Sequence, residues 1–434
     1  MTLSERDQAV IWHPFTQHKI MATALPITSG KGAYLYDENG KRYLDLVASW
    51  WTNIHGHAQP DIAKAIYDQA STLEHVLFAG FTHEPAVELA ENLLKLLPPA
   101  FSKVFYSDNG STSIEVAIKM SYQYWRNLGQ TKRRRFIAFE GAYHGDTFGA
   151  MSVSARAGYF SHFSDLLFSV DTFSYPTTYI GDKRTEEKEH EVLEQIKTHL
   201  ECYADEIASL IIEPLVQGAA GMRMCTPRFL RALEKLVRSY NILIIYDEVM
   251  TGFSRTGDYF ACLTAGTVPD IICMAKGMTG GFLPLSATIC QARMYEAFLG
   301  DTFASALIHG HTYTANPIAC AAGVASMKLL TSSATQAQVA LIEQIHREEL
   351  NRMVEIGAVE KPRYCGTIAA FEFKSSEGYG AKRGYEIQSS FIAQGLLMRP
   401  IGNVFYFFPP YCITEQELRG AYDVAIHEMQ GEIA

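Results

Sequence analysis

Two short apolar runs, residues 242–246 and 271–275, each stop at a charged residue, Asp247 and Lys276. Five consecutive apolar side chains suit a parallel strand covered on both faces, where no solvent-facing polar alternation is needed. Ligands of open α/β sheets sit beyond the carboxyl ends of such strands. Asp247 and Lys276, 29 positions apart, are therefore expected to meet in one cleft. This pairing restricts the chain to a layered α/β fold whose chemistry lies at one edge of its sheet.

The pair suits pyridoxal phosphate. A buried lysine loses its proton readily and condenses with an aldehyde as a Schiff base. A carboxylate facing the pyridine nitrogen keeps it protonated, so the ring can withdraw electrons. A plainer reading makes Asp247 a helix N-cap and Lys276 a solvated loop lysine; the pattern alone favours that reading, and the rest of the chain reverses it.

Composition narrows the classes. The 434 residues suffice for a large domain and a smaller one, and 48% hydrophobic with 19% charged residues describes an ordinary globular chain. A formal charge of -10 argues against a general nucleic-acid binder. The one basic run, 132–135, is expected to be a solvated helix end or loop. The first ten residues are polar and carry no signal-like apolar stretch, and no run approaches a membrane span. Eight cysteines without a Cys-x-x-Cys spacing fit reduced thiols in a cytoplasm better than a disulfide framework.

Along the chain, residues 32–45 read as a hairpin turning at 37–40. Adjacent Trp50 and Trp51 cannot share one side of a strand, so one is expected to line a cleft or an interface. Strand–helix alternation begins near residue 61, with helices at 62–72 and 85–97 and strands at 103–106, 136–140, 207–212 and 285–289. A helix opening at Thr226-Pro227 returns the chain to the Asp247 strand. After a small-residue helix at 318–330 the texture changes to a long helix, 334–352, and short strands at 367–374, 396–399 and 404–408. The expected division is 1–60 as an N-terminal segment, 61–325 as a large domain and 326–434 as a smaller α+β domain.

Three further features carry chemistry. The small-residue turn 107–113 opens a helix and offers free N–H groups to an anion, although N-capping by Ser111 or Ser113 would explain it too. Its helix has an apolar face and a second face of Glu115, Lys119, Gln123 and Arg126. The loop 141–147 places Tyr143 and His144 between glycines at a strand end, where a flat ring can cover a pyridine. Arg399, beside Tyr406, can clamp a carboxylate or form a structural salt bridge. The His-x-His pairs 55/57 and 309/311 have no carboxylate or cysteine at ligand spacing, so loop or core histidines are expected rather than a metal site.

These landmarks, in this order and nearly end to end, resemble the class III aminotransferases of the fold-type I pyridoxal-phosphate family. Four segments are similar to its biotin-pathway subgroup: 12–16, 49–51, 143–153, and Arg399-Pro400 with 409–411. The resemblance implies a mostly parallel sheet flanked by helices, and a smaller α+β domain built from both chain ends. Lys276 would carry the cofactor and shuttle the proton, and Asp247 would pair with its ring nitrogen. Gly110 and Ser111 would hold its phosphate and Tyr143 would lie against it. Thr312, beside His311, would reach the phosphate from the partner subunit of a homodimer. Trp50, Trp51, Gly310, Arg399 and Tyr406 would line the substrate site, with Asp146 near the donor amine. Arg255 would be structural, paired with Glu213.

The implied reaction passes an amino group from S-adenosylmethionine to 8-amino-7-oxononanoate. Two residues depart from the pattern. Phe15 stands where a tyrosine is common, leaving a ring that can still face a sulfonium, and His311 stands where a proline is common. Ornithine, 4-aminobutyrate or another ω-amino acid as substrate, lysine as donor, and a non-catalytic protein on the same scaffold are the rival readings.

Overall fold

The computed structural model describes residues 1–21, 23–154, 161–357, 359–373 and 382–430. Its centre is a seven-stranded sheet in the order Phe101–Ser107, Ser286–Gln291, Ile271–Met274, Leu243–Asp247, Ile207–Ile212, Arg135–Phe139, Asp171–Phe173. Only Ser286–Gln291 runs against its neighbours, and the other strand pairs are parallel. Every residue of Ile207–Ile212, Leu243–Asp247 and Ile271–Met274 is buried, which is why these runs show no alternation of polarity. Side chains still alternate between the two faces. Leu243 and Ile245 pack with Ile114, Ala117 and Trp125 on one face, while Ile244 and Tyr246 join the larger core on the other.

Register decides what the sheet edge presents. Asp247 pairs with Cys273, three residues before Lys276, and Tyr246 pairs with Ile212, one residue before Glu213. The three charged residues thus leave neighbouring strands at the same end. Gly110–Asn127 packs against this sheet with Ile114, Ala117, Ser121 and Trp125 buried, and Pro227–Ser239 buries Phe229, Leu230, Leu233 and Val237 under the cap of Thr226.

Both chain ends contribute to a second sheet. The hairpin Tyr34–Asp37/Arg42–Asp45 is flanked by Ile27–Lys31 and, in parallel, by Leu396–Leu397. A three-stranded sheet, Glu360–Cys365, Ile368–Glu372 and Val404–Phe407, completes the C-terminal part. The expected strand end at Lys374 lies outside the described residues. Among the described residues no single helix is long and apolar enough to cross a membrane.

Two expectations are corrected here. The basic run is not simply solvated. Arg133 is buried, donating to the carbonyls of Ala204 and Ile207 at 3.0 and 2.9 Å, and Arg135 grips Asp171 with two nitrogens at 3.0 and 2.6 Å. The tryptophan pair is not on a strand. Ala48–Trp51 is a left-handed turn with φ of 47, 46, 73 and 71°, closed by N–H bonds from Trp51 to Val47 and from Thr52 to Ala48.

Candidate active site

The sheet edge builds an acid–base cluster. The Asp247 Oδ2 lies 2.7 Å from His144 Nδ1, and its Oδ1 accepts the Val249 N–H at 3.0 Å. His144 is buried, and its backbone N–H donates to Ser154 Oγ at 2.8 Å, which anchors the segment that carries the ring. Glu213 accepts the N–H groups of Tyr143 and Gly218 at 3.0 and 2.9 Å. Burial, reinforced by the nearby Asp247 charge, pushes its carboxyl up to about 7 against the opposing pull of His144.

Lys276 follows its strand in a left-handed conformation, φ 42°. Such a backbone persists only where the surroundings over-determine it. Burial lowers its ammonium to about 8, although Asp247 and Glu213 pull the other way. Its Nζ lies 4.5 Å from the centre of the Trp51 ring. A lysine so placed is a ready nucleophile near neutral pH.

The 18-residue helix Gly110–Asn127 is capped by Asn109, whose Oδ1 accepts the Thr112 N–H at 3.0 Å. Ser111 and Ser113 are therefore not the cap, and the N–H groups of Gly110 and Ser111 have no partner among the described hydrogen bonds. A Cβ on Gly110 would come within 2.7 Å of Val249, so glycine lets the helix start pack beside the Asp247 strand end. Ser111 Oγ accepts the Thr147 N–H at 3.0 Å, and a Cβ on Gly145 would sit 2.2 Å from that oxygen. Glu115, grouped above on the polar face, takes the Thr147 hydroxyl and the N–H groups of Gly149 and Ala150, tying this loop to the helix.

A cavity of about 410 Å³ opens above the cluster. Lys276, Tyr143, Trp50, Trp51, Arg399, Tyr406 and Phe15 are among its lining. Arg399 stacks 4.3 Å over the Trp50 ring and has no carboxylate partner among the described residues. Trp51 Nε1 donates to Tyr406 Oη at 3.2 Å, and Phe15 meets Trp50 edge-on at 5.7 Å between centroids. Both tryptophans thus line the cavity, not one. The left-handed turn that achieves this costs roughly 1–2 kcal/mol per L-residue, and so it requires support from elsewhere.

Not every expected residue converges. Asp146 is exposed outside the cavity lining, where its carboxylate accepts the Tyr143 hydroxyl at 3.0 Å. Gly310, His311 and Thr312 do not line the cavity of this chain, and the His311 N–H is engaged locally by Thr314 Oγ1 at 3.1 Å. Arg255 does not pair with Glu213. It lies fully buried against Phe408 and Tyr411 and donates to the carbonyls of Pro409 at 2.6 Å and Asn53 at 3.3 Å, while Glu213 is taken by the backbone N–H groups of Tyr143 and Gly218. His57 bonds Asp45 and Asn53, and His55 bonds Ser326. Sequence reasoning left His144, Glu115 and Ser49 without roles. For His144 the available signal was its place next to Tyr143, but nothing in a polar stripe marks Glu115 as a loop anchor.

Comparison with known proteins fits this geometry. The family model described as Aminotransferase class-III matches residues 15–428. An adenosylmethionine-8-amino-7-oxononanoate aminotransferase of Synechococcus elongatus is 49% identical over 98% of this chain and 99% of its own. The crystal structure of the Methanocaldococcus jannaschii protein of that name superposes with a TM-score of 0.92 at 35% identity, covering 99% and 98% of the two chains. A PLP-bound amine transaminase from an uncultivated Pseudomonas species superposes at 0.89 with 30% identity and 97% coverage of each. The mostly parallel sheet, the strand-end lysine and aspartate and these matches agree: the chain is an enzyme of the class III aminotransferase family, with the fold-type I architecture.

Proposed function

We propose that this enzyme uses pyridoxal 5'-phosphate to transfer an amino group from S-adenosylmethionine to 8-amino-7-oxononanoate, the diamine-forming step of biotin synthesis. The observation that carries the reading is the cavity's polarity. It is lined by a desolvated lysine against Trp51 and by an arginine against Trp50 that has no carboxylate partner among the described residues. An acceptor with a carboxylate at one end and a ketone at the other matches that spacing of chemistry, and the relatives named for that reaction span nearly the whole chain.

The residues present fit the cofactor. The paired Gly110 and Ser111 N–H groups at a helix N-terminus suit a phosphate, Asp247 braced by His144 suits a protonated ring nitrogen, and Lys276 suits the aldehyde. When bound, the cofactor supplies an electrophilic carbonyl and an electron-accepting ring. Asp247 would hold the ring nitrogen, Tyr143 would pack against the bound cofactor, and the Lys276 amine would carry the proton to be moved. Arg399 receives the acceptor's carboxylate, Tyr406 and Trp51 fix the cavity wall, and Trp50 with Phe15 offers π faces to the sulfonium of the donor. Both substrates use the same cavity in turn. Thr312 and His311, outside this chain's cavity, serve the partner's site in a cytoplasmic homodimer, and Gly310 and Asp146 border the substrate.

The test is purified protein with 8-amino-7-oxononanoate and each donor in separate reactions, scored by diamine formation. Product with S-adenosylmethionine supports the proposal. Product with lysine alone would replace the donor, and turnover of ornithine without the oxononanoate would overturn the assignment.

A further inference from the structure

The left-handed turn under the two tryptophans has one conspicuous support, and it lies outside the cavity. Asp45, completely buried, ends the strand Arg42–Asp45. Its Oδ1 accepts the Val47 N–H at 3.2 Å, while its Oδ2 accepts the Ser49 hydroxyl at 2.8 Å and meets His57 Nε2 at 2.9 Å. His57 Nδ1 lies 3.1 Å from Asn53 Nδ2, and Asn53 Oδ1 accepts the Gly56 N–H at 2.7 Å. One carboxylate therefore holds the residue before the turn, a residue within it and, through His57, the segment after it. The same strand end is fastened to the other side of the cavity. Asp45 pairs in register with Leu397, two residues before Arg399, and Leu46 exchanges backbone bonds with Leu397 and Phe408.

We infer that Asp45 is a positioning residue: through Ser49 and His57 it holds the left-handed turn that sets Trp50 under Arg399 and Trp51 against Lys276, and so fixes the fit of the substrate half of the cavity. The inference rests on the proposed reading of that half as the acceptor site. L-residues leave the left-handed region unless held there, whereas glycine occupies it freely. A carboxylate can accept from Val47, Ser49 and His57 together. An amide offers one accepting oxygen and a donating NH2, so Asp45→Asn must lose or reverse at least one of the three bonds.

The experiment compares the wild-type holoenzyme with Asp45→Asn, Ser49→Ala, and Asp45→Asn combined with Ser49→Gly. Two of the four tryptophans lie in the turn, so near-ultraviolet circular dichroism reports its state directly. Asp45→Asn should change that signal and raise KM for the acceptor about tenfold while kcat changes much less, with the absorbance of the bound cofactor unaltered. Ser49→Ala should do the same more weakly. Adding Ser49→Gly to Asp45→Asn should bring the dichroism and KM back toward wild type, because glycine needs no holding. A merely stabilising Asp45 predicts the reverse, a further loss in the double variant, and that result would overturn the inference. Unchanged dichroism and KM in a folded Asp45→Asn would overturn it as well. If Asp45→Asn fails to fold, Ser49→Ala decides by the same two readouts. A wild-type protein that ignores the acceptor would sink the functional reading instead, and the dichroism would still test the turn.

Discussion

The two halves of the cavity are built by different rules. The cofactor half stands on consecutive strand ends of one buried sheet. Asp247 and Glu213 come from paired strands, and Lys276 follows the next one. The substrate half is assembled from residues near both chain ends: the turn Ala48–Trp51, then Arg399 and Tyr406 some 350 positions later, joined through the Leu396–Leu397 strand and the Trp51–Tyr406 bond. The strand ends place the reactive pair with one left-handed residue, Lys276, whereas the substrate wall depends on four in succession, Ala48 to Trp51. A fold arranged this way can keep one chemistry while its substrate wall varies.

If that contrast is right, damage to each half should read out differently. Lys276→Ala should abolish transfer, by on the order of 10⁴-fold in kcat, since among the described residues no second lysine lines the cavity; single-turnover assays measure it. Arg399→Ala should raise KM for the carboxylate acceptor by roughly 10²-fold, the loss of a charge-assisted bidentate contact, while cofactor titration by absorbance stays as in wild type. A cofactor affinity that fell equally would erase the distinction between the halves. Gly145→Ala should do the opposite. Its Cβ would collide with Ser111, so cofactor affinity should fall by about 2 kcal/mol, roughly thirtyfold, with acceptor KM little changed in the saturated enzyme.

The smallest effects follow pH. Lys276 is lowered to about 8 by burial, so its neutral amine is the minor form below that pH and the major form above it. The rate of cofactor capture by the apoprotein should climb up to about tenfold per pH unit below 8 and level off above it, as stopped-flow absorbance would show. Glu213 is raised to about 7 by burial. Its folded form prefers the proton more than its unfolded form does. That contribution to stability is therefore whole below about 4.5 and is lost as pH rises toward 7. Glu213→Gln should flatten this part of the stability profile in denaturant titrations.

The legibility of the chain follows the same division. Strand runs such as 207–212 coincide with the observed element because burial on both faces leaves an unmistakable apolar signature. Helix starts at Thr226 and near Asn109 were readable from capping chemistry, although the cap is Asn109 itself and not a following serine. The helix Thr185–Tyr203 went unnoticed in a stretch rich in glutamate, where few apolar positions mark the inward face. The pairing of Arg255 with Glu213 failed because a buried guanidinium can be satisfied by carbonyls and aromatic faces, which no local pattern announces.

Order and polarity of residues alone fixed the layered α/β class and the strand ends that carry Asp247 and Lys276, since these depend on periodicity and on short-range chemistry, while the family was legible only through the resemblance of its motifs. Folding in three dimensions decided the rest: that His144 braces Asp247, that Arg399 lies over Trp50, and that Ala48–Trp51 turns left-handed above Asp45. Those contacts join residues from tens to hundreds of positions apart, or hold a backbone in a region its own sequence disfavours, and only the packed whole supplies the energy for either.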